Sequence, residues 1–331
     1  MIKHPGAGKI FFRAIFFFVI IILTLTQDIF SQSKKSRRDL EANKTEIIDT
    51  ILRKIDISLR LDSIEKKYGI KVYIGEFIID TSRAEIAAII ADTIRRTGPN
   101  LMVPGLRKYS FNYLERKDEG KRDSLLQVFF EEWNKYPVEF VKSSQLTAIY
   151  FVKNLKVSGQ SRYAMPEGFS NALYYDVNYV NGRSDQYLRH SMHHEFYHLI
   201  EKNYFGDYYF LDKSWVSFNP LDFTYGSGGA AAYANPEFAR RQYPYKGFIT
   251  GYATVGIEED KAEVFGYLMT TQEFLKLTRW IKEDATLGRK VAYFMGLIRG
   301  MCRRMDYDFF LDIHQVRMKT ISVPMIGNDI F

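Results

Sequence analysis

Four of the six histidines in this 331-residue chain, His190, His193, His194 and His198, fall within nine residues. The segment that carries them has a narrow choice of local structure. Asn181-Gly182 turns the chain just upstream, Ser184 is a good N-cap, and Asp185 places a negative charge in the first turn, so a helix is predicted over residues 185–202. On that helix His194 and His198 are four apart and share one face, with Cβ atoms about 5–6 Å apart. Two strands, 146–153 and 172–180, lead into it across a polar loop rich in Gly and Pro. Strands feeding a helix, with more helices predicted at 258–270 and 289–305, make the chain α+β.

The histidine pair belongs to His194-Glu195-Phe196-Tyr197-His198. Two imidazoles on one helical face can each give a ring nitrogen to a single Zn²⁺ at roughly 2.0–2.1 Å. Glu195 leans over the same face, where it can take a proton from a zinc-activated water while the metal polarises a scissile carbonyl. Co²⁺ or Mn²⁺ would suit the same ligand types. His190 and His193 read as exposed or hydrogen-bonded side chains, not as extra ligands. Catalytic zinc takes three protein ligands, so one more must come from downstream. The run Glu258-Glu259-Asp260-Lys261-Ala262-Glu263 offers it, with Val264-Phe265 packing behind. Glu259 and Glu263 are four apart, so one can bind metal while the other accepts the free ring N–H of a ligand histidine and fixes its tautomer.

The N-terminus bears on localisation. Residues 1–31 place Lys3, Lys9 and Arg13 ahead of or beside the apolar stretch 14–25, followed by polar residues and small Ser31, which is the pattern of a secretory signal peptide. An uncleaved anchor is the competing reading, but a span needs about 20 apolar residues and lengthening this one would bury Arg13. The net charge is +7, of which residues 32–331 carry +5, and the run Lys34, Lys35, Arg37, Arg38 reads as a solvated leader. No RNA- or DNA-binding signature is present. Cys302 is the only cysteine, so no intrachain disulfide can form. Residues 32–120 are expected to make a helical and mixed N-terminal region, with a helix over 40–68 ended by Gly69, a strand at 70–79 and a helix from Ser82 to about Arg96. The charged stretch 115–123 reads as a linker, and residues 121–331 as the catalytic domain.

At this point the chain resembles the gluzincin metallopeptidases, which pair H-E-x-x-H with a later E-x-x-x-D/E, here Glu259 to Glu263. The metzincin pattern is absent, because Glu201 and Tyr204 stand where that family needs Gly and His. The nearer resemblance is to the catalytic domain of anthrax lethal factor and related secreted bacterial zinc peptidases, on Tyr252 seven residues before Glu259 and on Ala262-Glu263-Val264-Phe265. It implies a zincin-like domain in which Glu259 is the third ligand, Glu263 supports a ligand histidine, and the Tyr252 hydroxyl stabilises the oxyanion, with Tyr225 or Tyr233 as substitutes for that role. It also implies an edge strand near 172–177 that binds a peptide substrate through its backbone. The resulting expectation is an exported zinc endopeptidase acting on protein or peptide, the alternative being a non-catalytic envelope or surface protein with a structural zinc. The stretch between the two motifs, with Trp215, Asn219-Pro220, Phe223 and Tyr225-Gly226, predicts no substrate.

Overall fold

The computed structural model describes residues 34–74, 109–168, 170–229 and 245–315. The signal-like segment, the second half of the 70–79 strand and the helix after Ser82 lie outside these residues, as does Tyr233. The chain divides into two compact units, Met1–Ser58 and Leu59–Phe331. Of the first, only part of helix α1 (Lys34–Tyr68) is described. All the other described elements belong to the second.

Its sheet is mixed. Strand β1 (Lys71–Ile74) precedes β2 (Tyr109–Asn112), and the charged stretch expected to be a linker is instead ordered: Arg116–Asp118 is one 3₁₀ turn and helix α2 (Glu119–Trp133) follows directly. Charge is what orders it, because Lys153 reaches across to both Glu115 (2.7 Å) and Asp118 (2.9 Å). A short helix α3 (Val138–Ser143) leads to the long strand β3 (Ala148–Val157), then β4 (Gln160–Ser161), β5 (Ala164–Glu167) and β6 (Ala172–Asp176). The order is β1-β3-β6-β5, with β1 and β6 parallel to β3 and β5 antiparallel to β6, while β2 and β4 pair with the far end of β3.

The remainder is helical. Helix α4 (Asp185–Phe205) carries the histidines, α5 (Lys213–Ser217) is short, and α6 (Ile257–Met269) carries the acidic run. Helices α7 (Thr271–Glu283), α8 (Ala285–Met301) and α9 (Tyr307–Ile313) complete the domain, an α+β zincin-like architecture. None of the helices described is long and apolar enough to cross a membrane.

The core lies between the sheet and α2, α4 and α6. Ile149 and Phe151 alternate onto one face of β3, where Phe151 meets Phe129 of α2 edge-on at 5.2 Å. Trp133 and Tyr136 then join Phe196 of α4 at 5.0 and 5.1 Å. These aromatic contacts fix the roll of α4 and so decide which of its residues face α6.

Strand β6 corrects one expectation. All five of its residues are buried and it has a partner on each side, so the strand expected to be the substrate edge is internal. Its continuous apolar run Ala172-Leu173-Tyr174-Tyr175 is what a strand covered on both faces needs. Among the described residues the outer strand on this side of the sheet is β5, and β1 is outermost on the other.

Candidate metal centre

Helix α4 begins as its sequence requires. The Ser184 hydroxyl accepts the Tyr187 N–H (3.2 Å), and the helix ends at Gly206, whose φ of +83° closes the last turn with an N–H to the Lys202 carbonyl at 2.8 Å. Ionic contacts fix its register on α2. The His193 ring, fully buried, lies 2.7 Å from a Glu132 carboxylate oxygen and touches the Tyr136 hydroxyl, and Arg189 pairs with the same Glu132. His193 is therefore a hydrogen-bonded core histidine.

With α4 so placed, His194 and His198 turn toward Glu259 on α6. The His194 Nε2 is 3.0 Å from Glu259 Oε2, the His198 Nε2 is 3.3 Å from that oxygen, and the two ring nitrogens are 3.2 Å apart. Ligand atoms at the corners of a tetrahedron about 2.05 Å from a central zinc stand about 3.3 Å from one another. The three donors thus fit one zinc ion, and all three side chains are buried. Glu263, one turn further along α6, is 3.1 Å from His194 Nδ1 and accepts the Thr250 hydroxyl at 2.7 Å.

A second group of potential ligands, His190, His194 and Glu263, uses the other nitrogen of His194. The cleft separates the two groups. It is about 290 Å³ and is lined by His198, Glu259, Glu195, Tyr252 and Glu258, by β5 and Gly168 on one side and by Gly229 on the other, but not by His190 or Glu263. His198 and Glu259 of the first group line this cleft, and no residue of the second group does.

Charge separates the carboxylates. Burial alone would raise both ligand-helix acids, yet His198 and His194 hold Glu259, and His190 and His194 hold Glu263, well below the usual carboxylate range. Glu195 differs: burial pushes its carboxyl up, and the pull of His194 and His198 does not cancel that. An acid kept ionised beside the imidazoles and an acid shifted upward in the cleft suit different tasks, coordination and proton transfer.

The tyrosines also sort themselves. Tyr252 stands in a 3₁₀ turn (Tyr252–Thr254), lines the cleft, and has its ring 6.1 Å from that of His194. The turn is fixed to α6 through Thr250, whose hydroxyl accepts the Ala253 N–H (3.1 Å) and donates to Glu263. Tyr225 does not take this place. Its hydroxyl donates to Asp260 Oδ2 (2.6 Å), accepts from Trp215 Nε1 (3.1 Å), and does not line the cleft. The Trp215 indole also donates to Asp260 Oδ2 at 2.8 Å, and the Lys290 ammonium joins at 2.7 Å. The Trp215 to Tyr225 pattern is thus an anchor that ties the loop to the ligand helix.

Sequence reasoning missed three features. Glu258 lines the cleft and accepts the Gly229 N–H at 3.3 Å. Gly229 itself lies so close to the site that a Cβ there would come within 1.7 Å of Glu259 Oε1 and 2.7 Å of the Tyr252 hydroxyl. Tyr109, Tyr208 and Tyr209 complete the walls. The Gly228-Gly229 pair is the only sequence signal for the close approach, and nothing in the sequence distinguishes Tyr109, Tyr208 and Tyr209 among the 23 tyrosines.

Comparison with known proteins gives one finding. A family model described as "Putative zinc-binding metallo-peptidase" matches residues 123–290, just over half of the chain. That span runs from α2 into α8 and includes both motif helices. No curated protein and no solved structure matches.

Proposed function

The chain belongs to this zinc-binding metallo-peptidase family, with Zn²⁺ as its metal, and on that premise we propose that it is an exported zinc-dependent endopeptidase of the gluzincin arrangement. His194, His198 and Glu259 would hold the ion, and Glu263 would orient His194 through Nδ1. Zinc in such a site supplies Lewis acidity toward a water molecule and toward the carbonyl of the bond to be cut. The Glu195 carboxylate takes the proton from the attacking water and passes it to the leaving amine, a task for which its upward shift suits it. The Tyr252 hydroxyl donates to the oxygen of the tetrahedral centre.

The observation that carries this reading is the convergence of three buried donors at 3.0–3.3 Å, two of which, His198 and Glu259, line a cleft that Glu195 also lines. A purely structural zinc would need neither the cleft nor the acid. The outer side of β5, which no described strand pairs, supports a peptide as substrate. The Asp176 N–H donates to the Tyr163 carbonyl, so by the alternation of an antiparallel ladder Met165 and Glu167 bond to β6, while Ala164 and Pro166 direct their backbone groups outward. Pro166 therefore costs no ladder bond. An extended chain in the cleft would find the N–H and C=O of Ala164 and the C=O of Pro166, a grip that does not depend on side chains. Export rests on the signal-like composition of residues 1–31, and is checked by N-terminal sequencing of the protein recovered outside the cytoplasm.

The deciding experiment is the Glu195→Gln variant. It should keep one equivalent of zinc and lose at least 10³-fold in casein hydrolysis, the scale of a lost general base, while a chelator abolishes the wild-type activity. Wild-type turnover by the variant, or a wild-type protein that binds zinc but cleaves nothing in a broad fluorogenic peptide panel, would return the site to the structural reading.

A further inference from the structure

His190 is neither a ligand of the proposed zinc nor part of the cleft lining, yet it is buried on the same helical stripe, one turn before His194. Both of its ring nitrogens face carboxylates. Nε2 is 2.9 Å from Glu263 Oε1, and Nδ1 is 2.7 Å from Glu273 Oε2 in the first turn of α7. Glu273 is held in turn by the Gln186 amide at 3.2 Å. The ring lies flush against the backbone of α6 at Gly266, where a Cβ would come within 2.4 Å of it. The Glu263 oxygen that His190 contacts is the one 3.1 Å from His194 Nδ1.

We propose that His190 is a positioning residue for the metal site, holding Glu263 so that its carboxylate orients His194, with Glu273 and the Gly266 backbone holding His190 itself. The inference rests on the zinc-site reading above. Two hydrogen bonds fix Glu263, from the Thr250 hydroxyl on Oε2 and with His190 on Oε1, and His194 Nδ1 stands 3.1 Å from that same Oε1. Without His190 the carboxylate keeps one anchor that is not itself a ligand and can rotate about its terminal bond, taking the preferred tautomer and tilt of His194 with it. Partners of this kind are worth about 10–100-fold in metal affinity. His190 does not line the cleft, so it has no route to the substrate except through the metal. It is not itself a ligand in a second filled site, because His194 keeps a proton on Nδ1 when Nε2 binds metal.

The test measures zinc affinity by chelator competition and the visible spectrum of the cobalt-substituted protein, using the full domain. His190→Gln removes the second carboxylate contact. Gly266→Ala displaces the ring without altering any ionisable group, and Glu273→Gln keeps a hydrogen-bond partner while removing its charge. The first two should each weaken zinc binding 10–100-fold and shift the cobalt bands, with KM for a peptide unchanged at saturating zinc, and Glu273→Gln should have a smaller effect. The pair His190→Gln with Glu263→Gln should bind zinc no more weakly than Glu263→Gln alone, because both act through one carboxylate. Wild-type affinity and spectrum in both His190→Gln and Gly266→Ala would overturn the proposal. So would two zinc ions per chain with one lost in His190→Gln, which would make the group a second metal site. A wild-type protein that binds no zinc would defeat the parent reading, whereas tight wild-type binding with unaffected variants defeats this inference alone.

Discussion

Replacing Gly229 by alanine is the smallest change that should disable the site. A Cβ built there lies 1.7 Å from Glu259 Oε1, against the 3.0 Å below which real Cβ contacts essentially never fall, so about 1.3 Å of separation must be found. Elsewhere the end of a glutamate side chain would swing away at little cost. Here the other oxygen of that carboxylate is 3.0 and 3.3 Å from the two imidazole nitrogens, and any rotation that frees Oε1 carries Oε2 off the ligand position. Moving the backbone instead would break the Gly228 N–H bond to the Val255 carbonyl (2.7 Å) and the Gly229 N–H bond to Glu258. A misplacement near 1 Å in a reacting site can cost about 100-fold. Gly229→Ala should therefore weaken zinc binding at least tenfold and lower kcat/KM by about 100-fold, read by chelator competition and peptide hydrolysis. Gly120→Ala on α2, where a Cβ meets nothing within 4 Å, is the matched control and should leave both unchanged. A Gly229→Ala protein with wild-type zinc affinity and turnover would show that Glu259 is not held where the argument requires it.

Two other perturbations test how the site is supported. Asp260→Asn leaves the Lys290 ammonium, fully buried and 2.7 Å from Asp260, without its counter-charge. Breaking such a pair from one side costs about 3–5 kcal/mol, so thermal unfolding should fall by roughly 10 °C, and adding Lys290→Met should recover part of the loss; no change in the single variant would mean that the network contributes nothing. In the metal-free protein His190 supplies a pH signature. Burial disfavours its imidazolium, but Glu263 and Glu273 outweigh that and raise it from 6.5 to about 9, so its stabilising contribution is complete below pH 6.5 and is lost as pH rises toward 9. Chemical denaturation of the apoprotein should show stability declining across that window, His194 and His198 adding to the decline because, against burial, Glu259 raises both and Glu263 raises His194, and His190→Gln should remove at most about 3 kcal/mol of it.

The acidic run of α6 shows what was legible and what was not. From sequence, Glu258-Glu259-Asp260-Lys261-Ala262-Glu263 could be read as a solvated face, and what argued otherwise was the need of the histidine motif for a third ligand. Spacing put Glu259 and Glu263 on one face, and the structure brings both to the histidines. Helices α4 and α6 were legible because caps and periodicity are local: Ser184 starts α4 as expected, and α6 falls within a residue of the predicted start and end, whereas α8 runs over 285–301 instead of 289–305 and α7 and α9 were not anticipated. The sheet's edge was not, because whether β6 or β5 is outermost depends on the reversal after β5, a pairing that no local pattern encodes. Asp260 and Lys261 lie on the other faces of α6, and their partners come from sequence-distant elements: Lys290, Trp215 and Tyr225 for Asp260, and Glu201 near the end of α4 for Lys261. Burying five charged residues, Glu258 to Lys261 and Glu263, in under two turns of helix costs several kcal/mol per ion unless each finds a partner; Glu259 and Glu263 face imidazoles, Asp260 and Lys261 face opposite charges, and Glu258 accepts the Gly229 N–H. A helix so bound has almost no freedom to roll, so the cost of that burial is offset in geometry: Glu259 reaches the histidine pair at 3.0–3.3 Å because its neighbours on every other face are already committed.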